Sequence, residues 1–400
     1  MKSAVFIFLV SISFASQAKE ATSLAEVFSS GAAHINFRYR YEPVDQDGLS
    51  DDAEASTLRT RVNFVTGNYR GWQVFAEADN VSYVGSDDFN NTRNGNLSFP
   101  VVADPKGSQV NQLNISYSNA DFEARLGRQR INLDNQRFVG GVGWRQNEQT
   151  YDALTLSSGA IADTRIKYTF IENVSRIFGP DNGNPAENFD SSSHLFNVKY
   201  SNKQAGNFSA YVYLLDFENA PAASNRTLGL RYARKFNADK FTLPLLLEVA
   251  NQKDHGDNAN SYSASYLLAE LGLKYQKTQL IFGNERLGGS RQAGEAFVTP
   301  LATLHKFQGW ADKFLATPAA GIDDRYLTFK QAFGKRVNLT LAYHNFESES
   351  GSTDYGTEYD VALSVKIHAH LSALFKVARY NSDGFSTDTT KSWLMLTVNF

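Results

Sequence analysis

Apolar and polar residues alternate one by one through long stretches of the chain. The last ten residues, KSWLMLTVNF at 391–400, show the alternation plainly, and AHINFRYRYE at 33–42 repeats it near the start. A period of two is typical of a β-strand whose two faces meet different surroundings. The pattern therefore predicts an all-β protein from about residue 33 to the end of the chain.

The alternation predicts about eighteen strands. Most of them approach the ~9–11 residues that a tilted strand needs to cross a bilayer. The predicted strands are 33–42, 55–66, 71–83, 110–118, 121–129, 151–158, 163–173, 194–201, 207–217, 226–236, 240–251, 263–275, 277–285, 325–334, 336–346, 356–366, 369–380 and 391–400.

The predicted connections between strands alternate in length. Short turns such as 119–120 and 367–368 follow the even strands, and long loops such as 84–109 and 286–324 follow the odd strands. Outer-membrane barrels have short periplasmic turns, longer extracellular loops and an even number of strands. The chain is therefore predicted to be a transmembrane antiparallel β-barrel.

A barrel of this size is too wide for its side chains to fill and should enclose water. The side chains that face the lumen are therefore expected to be polar. Aromatic residues near the strand ends are expected to form the interfacial girdles of such barrels. The girdle candidates are Trp72, Tyr83, Tyr117, Tyr200 and Tyr326.

The N-terminus has the features of a secretory signal peptide. Lys2 precedes an apolar stretch at 4–14, which is too short to cross a bilayer as a helix. We expect a signal peptide at 1–18, in preference to an uncleaved anchor. A short periplasmic segment at 19–32 and the barrel at 33–400 then follow. The predicted location is the outer membrane of a Gram-negative cell.

Composition excludes several classes of function. The chain contains no cysteine, which rules out disulfide scaffolds and cysteine-ligated metal sites. Its formal net charge of −3 lacks the basic excess of nucleic-acid-binding proteins.

Basic residues recur on the polar side of the alternation. A charge facing lipid at the bilayer midplane costs about 2–4 kcal/mol, so these residues should face the lumen. They either form an anion-attracting path or pair with interior acids, and both interpretations remain open. The basic candidates are Arg38, Arg40, Arg59, Arg61, Arg125, Arg165, Lys167, Lys199 and Arg231, and the acids are Glu77, Asp79, Glu123 and Glu248.

The third long loop combines charges, amides and glycines. Arg130, Arg137, Trp144 and Arg145 are its candidate solute-binding residues. Such a segment either folds inward and narrows the channel or braces the wall as a latch, and the two roles are compatible.

This loop carries a family resemblance. GRQRINLDNQRFVGGVGWRQNEQTYDALTL, at 127–156, resembles the corresponding segment of alginate-export-type porins, and the segments 58–62 and 72–78 look similar too. The resemblance implies an eighteen-stranded monomer with an electropositive lumen that passes a polyuronate or another anionic solute. Phe400 resembles the C-terminal signature that the barrel-assembly machinery reads.

The predicted function is a porin for anionic solutes such as acidic oligosaccharides. The alternatives are a general diffusion porin and, more remotely, a barrel hydrolase, for which neither His34 nor His344 has an evident partner. The motifs of phosphate loops, zinc proteases and nucleophile elbows are absent from the sequence. We expect no enzymatic activity, cofactor or metal, although His368 with His370, or the acidic segment 45–54, would offer metal ligands.

Overall fold

The computed structural model describes residues 20–400, and the predicted signal peptide lies outside them. One short helix, α1, precedes eighteen antiparallel strands. The bounds are α1 Leu24–Ser29, β1 Ala32–Gln46, β2 Ala53–Val65, β3 Trp72–Tyr83, β4 Gly107–Ser118, β5 Phe122–Gln129, β6 Thr150–Ser158, β7 Thr164–Ser175, β8 Asn188–Asn202, β9 Gly206–Leu215, β10 Asn225–Ala238, β11 Phe241–Asp254, β12 Ser263–Tyr275, β13 Thr278–Leu287, β14 Ile322–Phe333, β15 Val337–Glu347, β16 Asp354–Lys366, β17 Leu371–Ser382 and β18 Thr389–Asn399.

The strands form a single closed sheet. Each strand pairs with its neighbours in sequence, and β1 pairs with both β2 and β18. Asn36, for example, lies opposite Arg61 on β2 and Asn399 on β18. Closure satisfies the hydrogen bonds of the strand edges, as a sheet in lipid requires. The predicted eighteen-stranded barrel is confirmed.

Some strands extend beyond their predicted bounds at the loop end. Strand β8 begins at Asn188 rather than near 194, and its added residues, NFDSSS, are mostly polar. Above the hydrocarbon the outer face no longer meets lipid, so the alternation fades while the ladder hydrogen bonds continue. Alternation alone therefore marks the membrane-crossing part of such a strand.

The short turns, the segment 20–31 and Phe400 share the periplasmic end. Helix α1 begins after Ser23, whose hydroxyl accepts a hydrogen bond from the backbone N–H of Glu26. The segment before the helix lies on the first turn, where the N–H of Ala21 donates to the carbonyl of Asn68 at 2.8 Å. The segment predicted at 19–32 thus contains a capped helix and the start of β1. No helix in residues 20–400 is long and apolar enough to cross a membrane.

The outer face of the barrel is apolar. Leu230 and Leu271 are 60% and 55% exposed, and such exposure is favourable against lipid. Trp72 packs against Tyr117 on this face near the periplasmic end, with ring centroids 5.1 Å apart.

Two of the five girdle predictions are wrong, because Tyr83 and Tyr326 point into the barrel. Tyr83 packs on Phe89 of the second loop. The ring of Tyr326 lies across Gly283, which leaves no room there for a Cβ atom. Near a strand end the sequence alone does not distinguish an aromatic residue facing lipid from one facing a loop.

The lipid-facing position of Leu271 is testable. Leu271→Arg should lower the free energy of unfolding by about 2–4 kcal/mol, because the guanidinium would face hydrocarbon. Urea titrations in lipid vesicles measure this change. Thr340→Arg, which faces the lumen in β15, is the control and should change stability by much less. Equal losses would contradict the assigned faces.

Candidate functional site: the lumen and its inner loops

The third loop, residues 130–149, lies inside the barrel and follows its wall. Asp134 accepts a hydrogen bond from Ser209 of β9 at 2.9 Å, and Arg137 pairs with Glu285 of β13 at 2.8 Å. Further along, Glu148 binds Arg61 of β2 at 2.7 Å. The loop therefore touches widely separated parts of the barrel before it returns to β6.

The seventh loop, residues 288–321, enters the same space and binds the third loop. Thr303 donates to the side chain of Gln136 at 2.8 Å, and Asp312 pairs with Arg145 at 2.9 Å. Its other side is held by the wall, where Glu358 of β16 accepts from the backbone N–H of Ala311 at 2.8 Å. The two loops thus form one layer across the lumen.

Aromatic side chains fill the space between this layer and the wall. Phe138 packs against Tyr266 and Phe297, at 5.2 and 5.8 Å between ring centroids. A second group surrounds Phe314, with Phe346 at 4.6 Å. At this level the inward face is only partly polar, because inward aromatic residues of several strands pack against the loops instead of facing water.

Glu148 joins the third loop to three arginines. Its carboxylate lies 2.7 Å from Arg61, 3.6 Å from Arg59 and 2.7 Å from the Nε of Arg130. Burial alone would raise its pKa, but Arg130, Arg61 and Arg59 outweigh burial and hold the pKa of Glu148 well below its usual range. The carboxylate therefore stays ionised as the counter-charge of this arginine cluster.

Arg38 and Arg40 bind the third loop through its backbone. Arg38 donates to the Gly143 carbonyl at 2.8 Å and to the Gln146 side chain at 2.9 Å. Arg40 donates to the Trp144 carbonyl, and Asp104 of the second loop pairs with it at 3.2 Å. Both guanidiniums are buried, so their donors serve the loop rather than bulk water.

Trp144 lies at the centre of a buried cation–aromatic cluster. The imidazole of His305 stacks on its ring at 4.3 Å, and Lys376 of β17 lies 4.4 Å from the ring centroid. The ammonium of Lys376 has no acceptor atom, so it donates to Nε2 of His305 at 2.6 Å. The Nδ1 atom then carries the ring hydrogen and donates to Asp312 at 2.7 Å. Burial lowers the pKa of His305 to about 3, which matches this neutral tautomer.

The lumen between the loop layer and the periplasmic mouth differs from the loop layer, because charged side chains there are exposed. Arg125, Arg165 and Lys199 face this space with 38%, 49% and 40% of their side chains exposed. Further inward bases on the wall are Lys167, Arg231 and Lys330, and the inward acids include Glu123, Glu270 and Glu248, the last of which pairs with Arg231. This compartment is water-exposed and carries more basic than acidic wall side chains.

The candidate residues separate into two groups. Arg38, Arg40, Arg59, Arg61, Arg137, Trp144 and Arg145 belong to the loop layer, whereas Arg125, Arg165, Lys167 and Arg231 line the wall on its periplasmic side. Arg130 is 27% exposed and lies within the layer, bound to Glu148 and Glu77. A role of either group in solute passage stays a prediction.

Sequence analysis missed several residues of the site. Lys330 and Lys376 lie on inward positions of their strands, so the alternation that marked the arginines would have found them. His305 and Asp312 lie on an irregular loop, where no periodic signal exists. His344 does have a partner, because its Nδ1 lies 2.9 Å from Asp324. Within residues 20–400, no three His, Asp or Glu side chains are grouped as a metal site requires.

Comparison with known proteins decides the family. The profile of the alginate export family matches residues 32–280, which is more than half of the chain. The chain belongs to the alginate export family. Together with the closed barrel, this membership makes it a porin-type channel of the Gram-negative outer membrane. A search of curated proteins finds no sequence match.

Solved structures share the fold of this alginate export family porin at low sequence identity. OccAB4 of Acinetobacter baumannii is 12% identical with a TM-score of 0.76, over 92% of this chain and 98% of that one. OccK9 (OpdG) of Pseudomonas aeruginosa is 15% identical with a TM-score of 0.74, over 94% and 99%. OpdK of the same organism, in a structure with vanillate, is 13% identical with a TM-score of 0.72, over 94% and 99%.

Glu148→Gln tests the arginine cluster of the porin. We expect a loss of about 3 kcal/mol or more in the free energy of unfolding, because the buried Arg59 and Arg61 and the partly buried Arg130 would lose the counter-charge that they share. Urea titrations followed by tryptophan fluorescence measure the loss.

Glu123→Gln is the matched control. Glu123 also contacts two arginines, at 3.0 and 3.1 Å, but its side chain is 35% exposed. Exposed pairs contribute about 0–1 kcal/mol. If the two variants lost equal stability, the special role of Glu148 would be refuted.

The His305 cluster predicts a loss of stability in acid. The pKa of His305 is about 3 in the folded chain and about 6.5 when unfolded, so the unfolded state binds the proton first. The contribution of the neutral ring is complete above pH 6.5 and is lost as the pH falls towards 3. Unfolding titrations between pH 7.5 and 4.5 should therefore show a stability decline.

His305→Gln is the control for this decline. A glutamine side chain still accepts from Lys376 and donates to Asp312, but it does not titrate. The variant should lose less stability over the same pH range. Identical pH profiles would show that other groups cause the decline.

Proposed function

We propose that this porin passes anionic solutes, including acidic oligosaccharides, across the outer membrane. The observation that carries the proposal is the basic wall between the loop layer and the periplasmic mouth, where Arg165 and Lys199 are exposed. Rings of basic side chains attract anions in pores. Guanidinium groups also bind carboxylates through paired hydrogen bonds.

The spread of these charges favours a solute with several carboxylates. Arg125, Arg165, Lys199 and Lys330 come from strands β5, β7, β8 and β14, whereas Arg231 of β10 is already paired with Glu248. A chain of uronate units carries one carboxylate per unit and would meet several of these cations in succession. A small carboxylate would bind these cations one at a time, so the proposal covers both small anions and acidic oligosaccharides.

A general diffusion porin is the alternative, and ion pairs within the wall support it. Glu123 binds both Arg125 and Arg165, and Asp134 of the third loop pairs with Lys199 at 3.1 Å. These acids weaken the field that an anion would meet. Selectivity therefore depends on how much positive charge remains exposed.

We propose further that the porin is a monomeric channel with no enzymatic activity and no cofactor. Phe400 is 63% exposed beside β1, where its N–H donates to the carbonyl of Ile35 at 2.9 Å. An exposed C-terminal aromatic residue at the end of the last strand suits recognition by the barrel-assembly machinery during insertion.

Reversal potentials in a salt gradient test the proposal. The refolded porin in a planar bilayer should prefer chloride over potassium. Replacing Arg165, Lys199 and Lys330 together by glutamine should move the reversal potential more than halfway to zero, because the exposed positive field is lost. Added oligouronates should block the wild-type current more strongly than neutral oligosaccharides of equal length.

The control is Arg286→Gln on the outer face, which should leave selectivity unchanged. Cation preference in the wild-type porin would overturn the proposal. Unselective current without oligouronate block would favour the general diffusion porin.

A further inference from the structure

Two cations face outward side by side at the extracellular ends of β10 and β11. Arg226 lies directly opposite Lys253 in the register of this strand pair. Both side chains are exposed, whereas the flanking residues Thr227 and Gln252 are buried inside the barrel. The two positive groups therefore share one patch of the outer surface.

This pair lacks a counter-charge in the part of the chain that the structure describes. Like charges directly opposite each other destabilise an antiparallel pair, and no acidic side chain of residues 20–400 forms an ion pair with Arg226 or Lys253. Two other outward arginines at this end are neutralised. Arg286 pairs with Asp323 at 3.0 Å, and Arg325 pairs with Asp323 and Glu347 at 3.2 Å.

The level of the pair relative to the lipid follows from the register. Leu230, Val249 and Leu267 form an apolar row across β10, β11 and β12, with 60%, 49% and 38% exposed. Towards the outside, the next outward row is Leu228, Asn251 and Ser265, and the row after it is Arg226, Lys253 and Ser263. Outward rows are two residues apart, or about 7 Å along a strand. The cations therefore lie just above the hydrocarbon, at the level of the outer-leaflet head groups.

We propose that Arg226 and Lys253 bind a phosphate of the phosphorylated glycolipid, of the lipid A type, that forms the outer leaflet. A guanidinium binds phosphate oxygens in pairs, and a neighbouring ammonium adds a second charge and further donors. The amide of Asn251 and the hydroxyl of Ser263, 3.2 Å apart, supply polar groups beside the cations. Leu228, 61% exposed directly below Arg226, provides an apolar contact for an acyl chain.

A bound phosphate would also remove the repulsion within the pair. In its absence, two adjacent positive charges oppose each other at the ends of paired strands. The lipid should therefore stabilise the folded barrel, because it binds the native outer surface and not the unfolded chain. This effect is separate from conduction, which depends on the lumen.

The test uses the full chain refolded in detergent micelles. Binding of bisphosphorylated lipid A is measured by native mass spectrometry, together with the rise in melting temperature that the lipid causes. The Arg226→Gln/Lys253→Gln variant should bind about thirtyfold more weakly, because each basic residue near an anionic surface contributes about fivefold. Its melting temperature without lipid should be unchanged or higher.

The matched control is Arg286→Gln/Arg325→Gln, which removes two outward cations that already have acidic partners. This variant should bind lipid A as the wild type does. Equal binding by all three proteins, or equal losses in both variants, would overturn the proposal.

Two further probes distinguish the source of the phosphate. Lipid A stripped of its phosphates should bind the wild type as weakly as intact lipid A binds the Arg226→Gln/Lys253→Gln variant. Inorganic phosphate should compete only at much higher concentration, because it lacks acyl chains. If inorganic phosphate bound the wild type as tightly as lipid A, the site would be one for free phosphate and the assignment to lipid would be wrong.

Discussion

The position of the inner loops depends on matching the buried charges that they carry into the barrel. A buried ion without a partner costs several kcal/mol, whereas one with good partners is tolerated. Glu148 meets three arginines, and Asp312 meets Arg145, Lys391 and His305. These contacts specify one position for each loop, because a shift would leave charges on both the loop and the wall unmatched.

Charge matching acts together with the width of the barrel. Eighteen strands enclose more space than their own side chains can fill. The third and seventh loops supply the missing volume through Phe138, Phe297 and Phe314, which pack on inward aromatic residues of the wall. The extracellular half of the barrel thus resembles the core of a soluble protein. The periplasmic half keeps water, and there basic residues remain exposed.

The sequence predicts the wall better than its contents. Alternation identifies all eighteen strands, and β12 has the predicted bounds, because lipid on one side and lumen on the other impose a strict period of two. The sequence does not predict which charged residues will pair with each other. Arg145 and Asp312 are 167 residues apart, and neither shows locally that it will be buried. Each of the two interpretations of the interior arginines describes part of the structure. The arginines near the loops are paired with acids, and those near the periplasmic mouth are more exposed.

The seam where the sheet closes gives the loop layer a role in assembly. Strand β1 meets β18 only after the whole chain has been made, and both strands bind the loops there: Arg40 contacts Trp144, while Trp393 packs on Trp144 at 5.7 Å. An open sheet would leave these groups facing water or lipid. Sealing the first strand to the last and folding the loops inward therefore reinforce each other as one cooperative step. The family profile ends at residue 280, within β13, so the matched region includes neither the later strands nor the seventh loop, and both are needed for this step.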